Sequence, residues 1–113
     1  MSFIEKTCEP CRGGVPPLNL SECQALLEHT PNWTLCENSS KLERIFTFQN
    51  FIDALSFVNS VAEVAEAENH HPDISFGWGY CKIVLFTHKI DGLHENDFIM
   101  AAKINQITAL NPS

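Results

Sequence analysis

Between residues 51 and 65 the apolar side chains recur with helical spacing. Phe51, Ala54, Leu55, Val58, Val61, Ala62 and Ala65 fall at i, i+3, i+4 and i+7 and make a continuous stripe along one helix face. A helix of about four turns with one such face must lie against something equally apolar. Asn50 is placed to cap its first turn, where Asp53 suits the positive end of the helix dipole. The helix is expected to stop between Glu66 and Asn69, because Pro72 disfavours helical geometry at His71.

On both sides of this helix the period changes to two. Trp33 and Leu35 alternate with polar neighbours, Glu37-Asn38-Ser39-Ser40 supplies a turn, and Leu42, Phe46 and Phe48 recur on even positions with Ile45 opposite. That pattern predicts a hairpin. Residues 74 to 88 are rich in β-branched and aromatic types and contain Gly77 and Gly79, which predicts two strands, 74 to 79 and 81 to 88, before an Asp91-Gly92 turn. Ser21, with Gln24 three residues on, is expected to open a short helix that carries Leu20, Leu26 and Leu27 and stops before Pro31. A last helix from His94 to Leu110 directs Phe98, Ala101, Ala102, Ile104 and Ile107 to the core. The order α-β-β-α-β-β-α describes an α+β fold, a four-stranded antiparallel sheet with helices packed on one face. Residues 1–17, ending in Gly13-Gly14-Val15-Pro16-Pro17, read as an N-terminal arm and 18–113 as a single domain.

Charge and cysteine usage narrow the function classes. Fourteen acidic residues against seven basic ones give a formal charge of −7, which repels phosphate backbones and argues against nucleic-acid binding. No apolar run approaches the roughly 18 residues that span a bilayer, and residues 1–12 lack a basic head followed by an apolar stretch. A cytoplasmic protein without membrane association is expected. In that compartment Cys8, Cys11, Cys23, Cys36 and Cys81 should be reduced thiols. Cys8-Glu9-Pro10-Cys11 has the gap of a zinc knuckle or redox pair, yet no second C-x-x-C or H-x-x-x-H supplies the remaining ligands. A mobile tail without metal is the plainer reading.

Four of the five histidines, His70, His71, His88 and His94, fall within 25 residues. Histidine is the side chain whose unperturbed pKa, about 6.5, lets it give and take protons near neutrality. Strand alternation puts Lys82, Val84, Phe86 and His88 on one face and Cys81, Ile83, Leu85 and Thr87 on the other. His70 and His71 are adjacent in an extended segment, so they should point in opposite directions, one facing a site and the other bracing it. Acid–base catalysis, a three-imidazole metal site and a purely structural role all remain open on these residues. No G-x-G-x-x-G, P-loop or G-x-S-x-G supports a nucleotide or serine-hydrolase reading. Glu63, Glu66, Glu68, Asp91, Glu95 and Asp97 read as solvated helix faces or helix starts.

Glu66-x-x-x-His70-His71-Pro72, then Trp78, then Leu85-x-Thr87-His88, then Gly92-Leu93 and Asp97 together resemble the pterin-4a-carbinolamine dehydratases. The resemblance covers residues 18 to 110, and the arm looks like the N-terminal extension of bacterial members. It implies the same element order and a lyase that eliminates water from a 4a-hydroxytetrahydropterin to give quinonoid dihydropterin, recycling the cofactor of aromatic amino acid hydroxylases. By the resemblance, His70 and His88 take the acid and base roles, and His71 joins the catalytic set mainly by positioning the pterin. Glu66, Phe86, Thr87 and Asp97 belong to the substrate-binding surroundings, with Glu66 and Asp97 hydrogen-bonding the pterin or orienting an imidazole. No cofactor or metal is implied. The family further implies a homodimer or homotetramer, a functional link to an aromatic amino acid hydroxylase, and, as an alternative role, a dimerisation cofactor or transcriptional coactivator. Trp78 stands where tyrosine is usual, Cys81 where valine is common, and His94 where serine or threonine caps the last helix. None of the three removes a catalytic group.

Overall fold

A computed structural model describes residues 3–9 and 13–110. After a single 3₁₀ turn at Phe3–Glu5 come α1 (Leu20–Leu27), β1 (Thr34–Cys36), β2 (Lys41–Thr47), α2 (Phe51–Glu68), β3 (Asp73–Gly77), β4 (Tyr80–Leu85) and α3 (Glu95–Leu110). The four strands form one antiparallel sheet in the order β1-β2-β4-β3. The α+β fold and its element order are therefore those expected.

Register decides which residues meet the helices. Leu42 faces Leu85, Arg44 faces Ile83 and Phe46 faces Cys81, while Ile74 and Phe76 on β3 face Ile83 and Cys81 in turn. Residues opposite one another share a face, so these make the inner surface, where Leu42, Phe46, Cys81, Ile83 and Leu85 are buried. Arg44 is tolerated there because its guanidinium lies over the Phe46 ring and donates to Asn105 Oδ1. The outer face carries Glu43, Ile45, Ser75, Lys82 and Val84. Burying a large side chain such as Ile83 stabilises the fold by roughly 1.5–3 kcal/mol.

The long helix runs where the stripe predicts, with Asn50 Oδ1 accepting from the Asp53 amide at 2.8 Å. Its inward line is Ala54, Phe57, Val61 and Ala65, whereas Ala62 is exposed. The face is rotated slightly because Phe57 packs on Phe46 and Phe48, with ring centroids 4.6 and 5.2 Å away. In α1 the capping box is one formed by Asn19 and Glu22, not by Ser21 and Gln24. Asn19 Oδ1 accepts from the Glu22 amide at 2.8 Å and Glu22 Oε1 from the Asn19 amide at 2.9 Å. The same spacing exists two residues earlier, with a carboxylate at the receiving position, and that pair wins.

Both hairpin turns use left-handed backbone. Glu37, Asn38 and Ser39 carry the β1–β2 turn at φ 50°, 57° and 65°. Gly79 at φ 82° closes the two-residue loop between Gly77 and Tyr80. β4 stops at Leu85 rather than continuing to residue 88. Its neighbours run out there, for the last ladder pairs are Leu42↔Leu85 on one side and Asp73↔Val84 on the other.

α3 is buried on every side from Asn96 to Ala102, although its sequence promised only one inward face. The 3₁₀ turn of the arm packs on its outer side, while α1, α2 and β4 pack on the rest. Over residues 3–9 the arm is held against the body rather than loose. Cys11 lies outside the described residues.

Candidate active site

The end of α2 parts the two adjacent histidines. Asn69 takes left-handed geometry at φ 52°, ψ 42° and closes the helix, and the His70 amide then reaches back to the Ala65 carbonyl at 3.1 Å. The chain turns sharply at that residue, and Pro72 keeps it from resuming a helix. The His70 side chain is consequently 13% exposed and directs Nε2 to Asp97 Oδ1 at 2.7 Å. His71 is 54% exposed, and its Nε2 pairs with Glu66 Oε2 on the last turns of α2.

Asp97 is the deepest group of the cluster, at 0% exposure. It sits in the first turn of α3, where a carboxylate is favoured by the helix dipole. Its Oδ2 accepts from Thr87 Oγ1 at 2.8 Å and from the His94 amide at 3.0 Å. His94 in return uses imidazole Nδ1 to accept the Asn96 amide at 3.0 Å. An imidazole thus does the capping that a serine or threonine hydroxyl does elsewhere. An ionised carboxylate only accepts, so with Asp97 in that state His70 Nε2 is the donor of their bond.

The third histidine arrives by a different route from the one expected. His88 opens a 3₁₀ turn, His88–Ile90, instead of ending a strand. Thr87 exchanges backbone hydrogen bonds with Gly92 at 2.8 and 3.4 Å, and Asp91 at φ 51° lets the loop return. The His88 ring nevertheless stays beside Phe86, with centroids 4.1 Å apart. Lys41 Nζ lies 4.7 Å from the Phe86 centroid.

His70, His71, Phe86, Thr87 and His88 line one cavity of about 490 Å³, a size ordinary for a small-molecule site. Two of the expected residues stand outside its lining. Glu66 is exposed and braces His71, and Asp97 lies behind His70 and Thr87. The cavity joins imidazoles, an aromatic ring and a hydroxyl, a set suited to holding a flat heterocycle and moving protons on it.

Sequence reasoning missed the wall that the arm and its partners supply. Cys8, Glu9 and Glu68 line the cavity, as does Lys89. No periodic signal marks Cys8 or Glu9, because their place depends on contacts with residues some 60 to 90 positions away. The Cys8 Sγ lies 3.7 Å from the Asn96 carbonyl, and burial, with Glu68 next, pushes its thiol up to about 12. Among the described residues no group of three metal-ligating side chains comes together, and no helix is long and apolar enough to cross a membrane.

Comparison with known proteins identifies the family. Residues 16–107 match the family model described as pterin 4 alpha carbinolamine dehydratase. A relative from Methylococcus capsulatus, provisionally named a pterin-4-alpha-carbinolamine dehydratase, is 55% identical over 96% of this chain and 95% of its own. A relative from Halorhodospira halophila with the same provisional name is 54% identical, covering 96% of this chain and 100% of its own. Among solved structures, the transcriptional coactivator/pterin dehydratase of Brucella melitensis superimposes with a TM-score of 0.75 at 31% identity, covering 80% of this chain and 97% of that one. With a family model over most of its length and relatives sharing more than half its residues, the chain belongs to the pterin-4-alpha-carbinolamine dehydratase family.

Proposed function

We propose that the protein eliminates water from a 4a-hydroxytetrahydropterin by histidine acid–base catalysis. The observation that carries the reading is the convergence of His70, His71 and His88 on one cavity, within a chain of this family. Hydroxide is a poor leaving group, so one group protonates the oxygen on C4a as the C–O bond breaks. Another takes the N5 proton as the C4a–N5 double bond forms, and the products are water and a quinonoid dihydropterin. His70 and His88 fill these two roles. His71, half exposed and tied to Glu66, positions the substrate, and Phe86 and Thr87 complete the binding surface.

Asp97 acts through His70. By accepting from Nε2 it fixes the ring's tautomer and orientation, as a carboxylate does for an imidazole in other acid–base sites. No step calls for a metal or an organic cofactor. Recycling the pterin of an aromatic amino acid hydroxylase in the cytoplasm is the setting this reaction implies.

A second reading is favoured by the Brucella melitensis relative, whose name joins transcriptional coactivator to pterin dehydratase. A protein-binding role of that kind would use the surface and leave the cavity idle. The decisive experiment is dehydration of a freshly generated 4a-carbinolamine, followed optically with the spontaneous rate subtracted. Acceleration that disappears in a His70→Ala/His88→Ala double variant is expected. A folded parent protein that leaves the rate at background defeats the dehydratase reading.

A further inference from the structure

The arm is mounted on α3 by a side chain built into the core. Asn96 is 2% exposed, and its amide group is committed to a single arm residue. Oδ1 accepts from the Glu9 amide at 3.0 Å, and Nδ2 donates to the Glu9 carbonyl at 2.6 Å. A side-chain amide thereby pairs with the backbone of Glu9 through both its donor and its acceptor, as a neighbouring strand would. One residue earlier, the Cys8 amide donates to Glu68 Oε1 at 2.7 Å. Lys103 lies 3.5 Å from Glu68 Oε2 and donates to the Ile4 carbonyl at 2.8 Å. The arm is therefore clamped at residues 4, 8 and 9.

The clamped stretch is also a wall of the cavity, which Cys8 and Glu9 line. Glu9 stands on the ridge between this cavity and a second depression bordered by Lys6, His94 and Glu95. Two other carboxylates line the main cavity, Glu68 and Asp73. Glu68 is occupied by the Cys8 amide and Lys103. Asp73 begins β3 opposite Val84, on the outer face of the sheet. Among the described residues of the wall, Glu9 alone combines a carboxylate with a backbone held at both its amide and its carbonyl by a buried partner.

A pterin presents N3–H and a 2-amino group side by side, two donors to which a carboxylate is complementary through paired, charge-assisted hydrogen bonds. Resting on the pterin reading above, we infer that Glu9 is a substrate-binding residue that reads this edge, with Asn96 as its positioning residue. The arm then supplies specificity for the amino-substituted ring, a task separate from the proton transfers of the histidines.

Fluorescence titration of the full chain with pterin and with lumazine, which carries oxygen in place of the 2-amino group, tests the assignment. The parent protein should prefer pterin. Glu9→Gln keeps the size of an exposed side chain and should shrink that preference by roughly 10- to 100-fold, the worth of hydrogen bonds to a charged group. Asn96→Ala should lower it in the same direction while affecting lumazine less, with a melting curve to show that the variant is folded. A parent without preference, a Glu9→Gln protein that keeps it, or an Asp73→Asn protein that loses it instead each overturns the inference. A parent that prefers pterin and loses the preference in Glu9→Gln, yet does not accelerate carbinolamine dehydration, supports Glu9 and defeats the dehydratase reading alone.

Discussion

Thr87 Oγ1 donates to Asp97 Oδ2 across 2.8 Å, joining the exit of β4 to the first turn of α3 inside the protein. The other oxygen of the same carboxylate holds His70. Three donors thus converge on one buried acceptor, and replacing it has a calculable consequence.

In Asp97→Asn one of those donors must meet an amide NH2 instead of an oxygen. An unsatisfied buried polar group costs about 1–3 kcal/mol, which for a domain of this size lowers the melting temperature by roughly 4 °C or more. Turnover should fall as well, because the tautomer of His70 is no longer fixed, and a loss of about 10- to 100-fold is expected from weakened acid–base catalysis. Thermal unfolding and background-corrected kcat check both halves. An Asp97→Asn protein with parental kcat removes Asp97 from the mechanism.

His88 and His71 should respond in opposite ways. His88 is exposed on its 3₁₀ turn, so His88→Ala opens no core and should lower kcat by about 10²- to 10⁴-fold, the usual worth of general acid–base catalysis. Binding of an unreactive pterin should weaken only modestly. His71→Ala should weaken binding more than turnover at saturation. Parental turnover in a folded His88→Ala protein that still binds pterin is the result that sinks the assignment.

Cys81 lies in the sheet interior, and burial pushes its thiol up to about 11 from an ordinary value of 9.0. A folded-state value above the unfolded one means that the fold favours the neutral thiol. That contribution to stability is fully present below pH 9 and is lost as the pH rises through about 11. Urea unfolding at pH 8 and at pH 10.5 should therefore show a smaller alkaline loss for Cys81→Ala than for the parent. Equal slopes in the two proteins count against a buried neutral thiol.

Assembly is a further expectation. β1 and β3 are the edges of the sheet, and open edges pair with a second copy unless they are covered. Light scattering at micromolar concentration should report a homodimer or a homotetramer. A monomer at that concentration refutes it.

What could be read in advance follows the range of the interactions concerned. The existence of α2, the Asn50 cap, the Glu37–Ser40 turn and the split of β4 into an inner and an outer face are all set by local sequence, and each stands as expected, whereas the inward face of α2 is rotated from the expected stripe. The start of α1 differs from the expected one because two capping pairs with the same spacing overlap, and their competition is settled by acceptor strength rather than by pattern. β4 ends earlier than its own residues suggest, since a strand ends where its neighbours end. His70 and His88 stand out in the sequence because imidazoles can carry proton transfer, and both line the cavity. The brace formed by Asp97, Thr87 and the His94 amide, and the clamp of Asn96 on Glu9, connect positions whose separation in sequence gives no sign of contact. Phe57, buried among aromatic rings, lies just beside the expected stripe, because the packing of those rings sets the inward face.

The left-handed residue at the end of α2 acts on the two histidines as a reading frame acts on codons. Asn69 turns the chain immediately before His70, so one imidazole goes inward to Asp97 and the next outward to Glu66. Identity at position 69 is negotiable, since glycine adopts the same geometry without strain. Number is not. Adding or deleting one residue there would shift which imidazole enters the interior and leave the buried carboxylate facing the wrong partner. Descendants of this sequence should therefore vary in composition around the turn far more freely than in length.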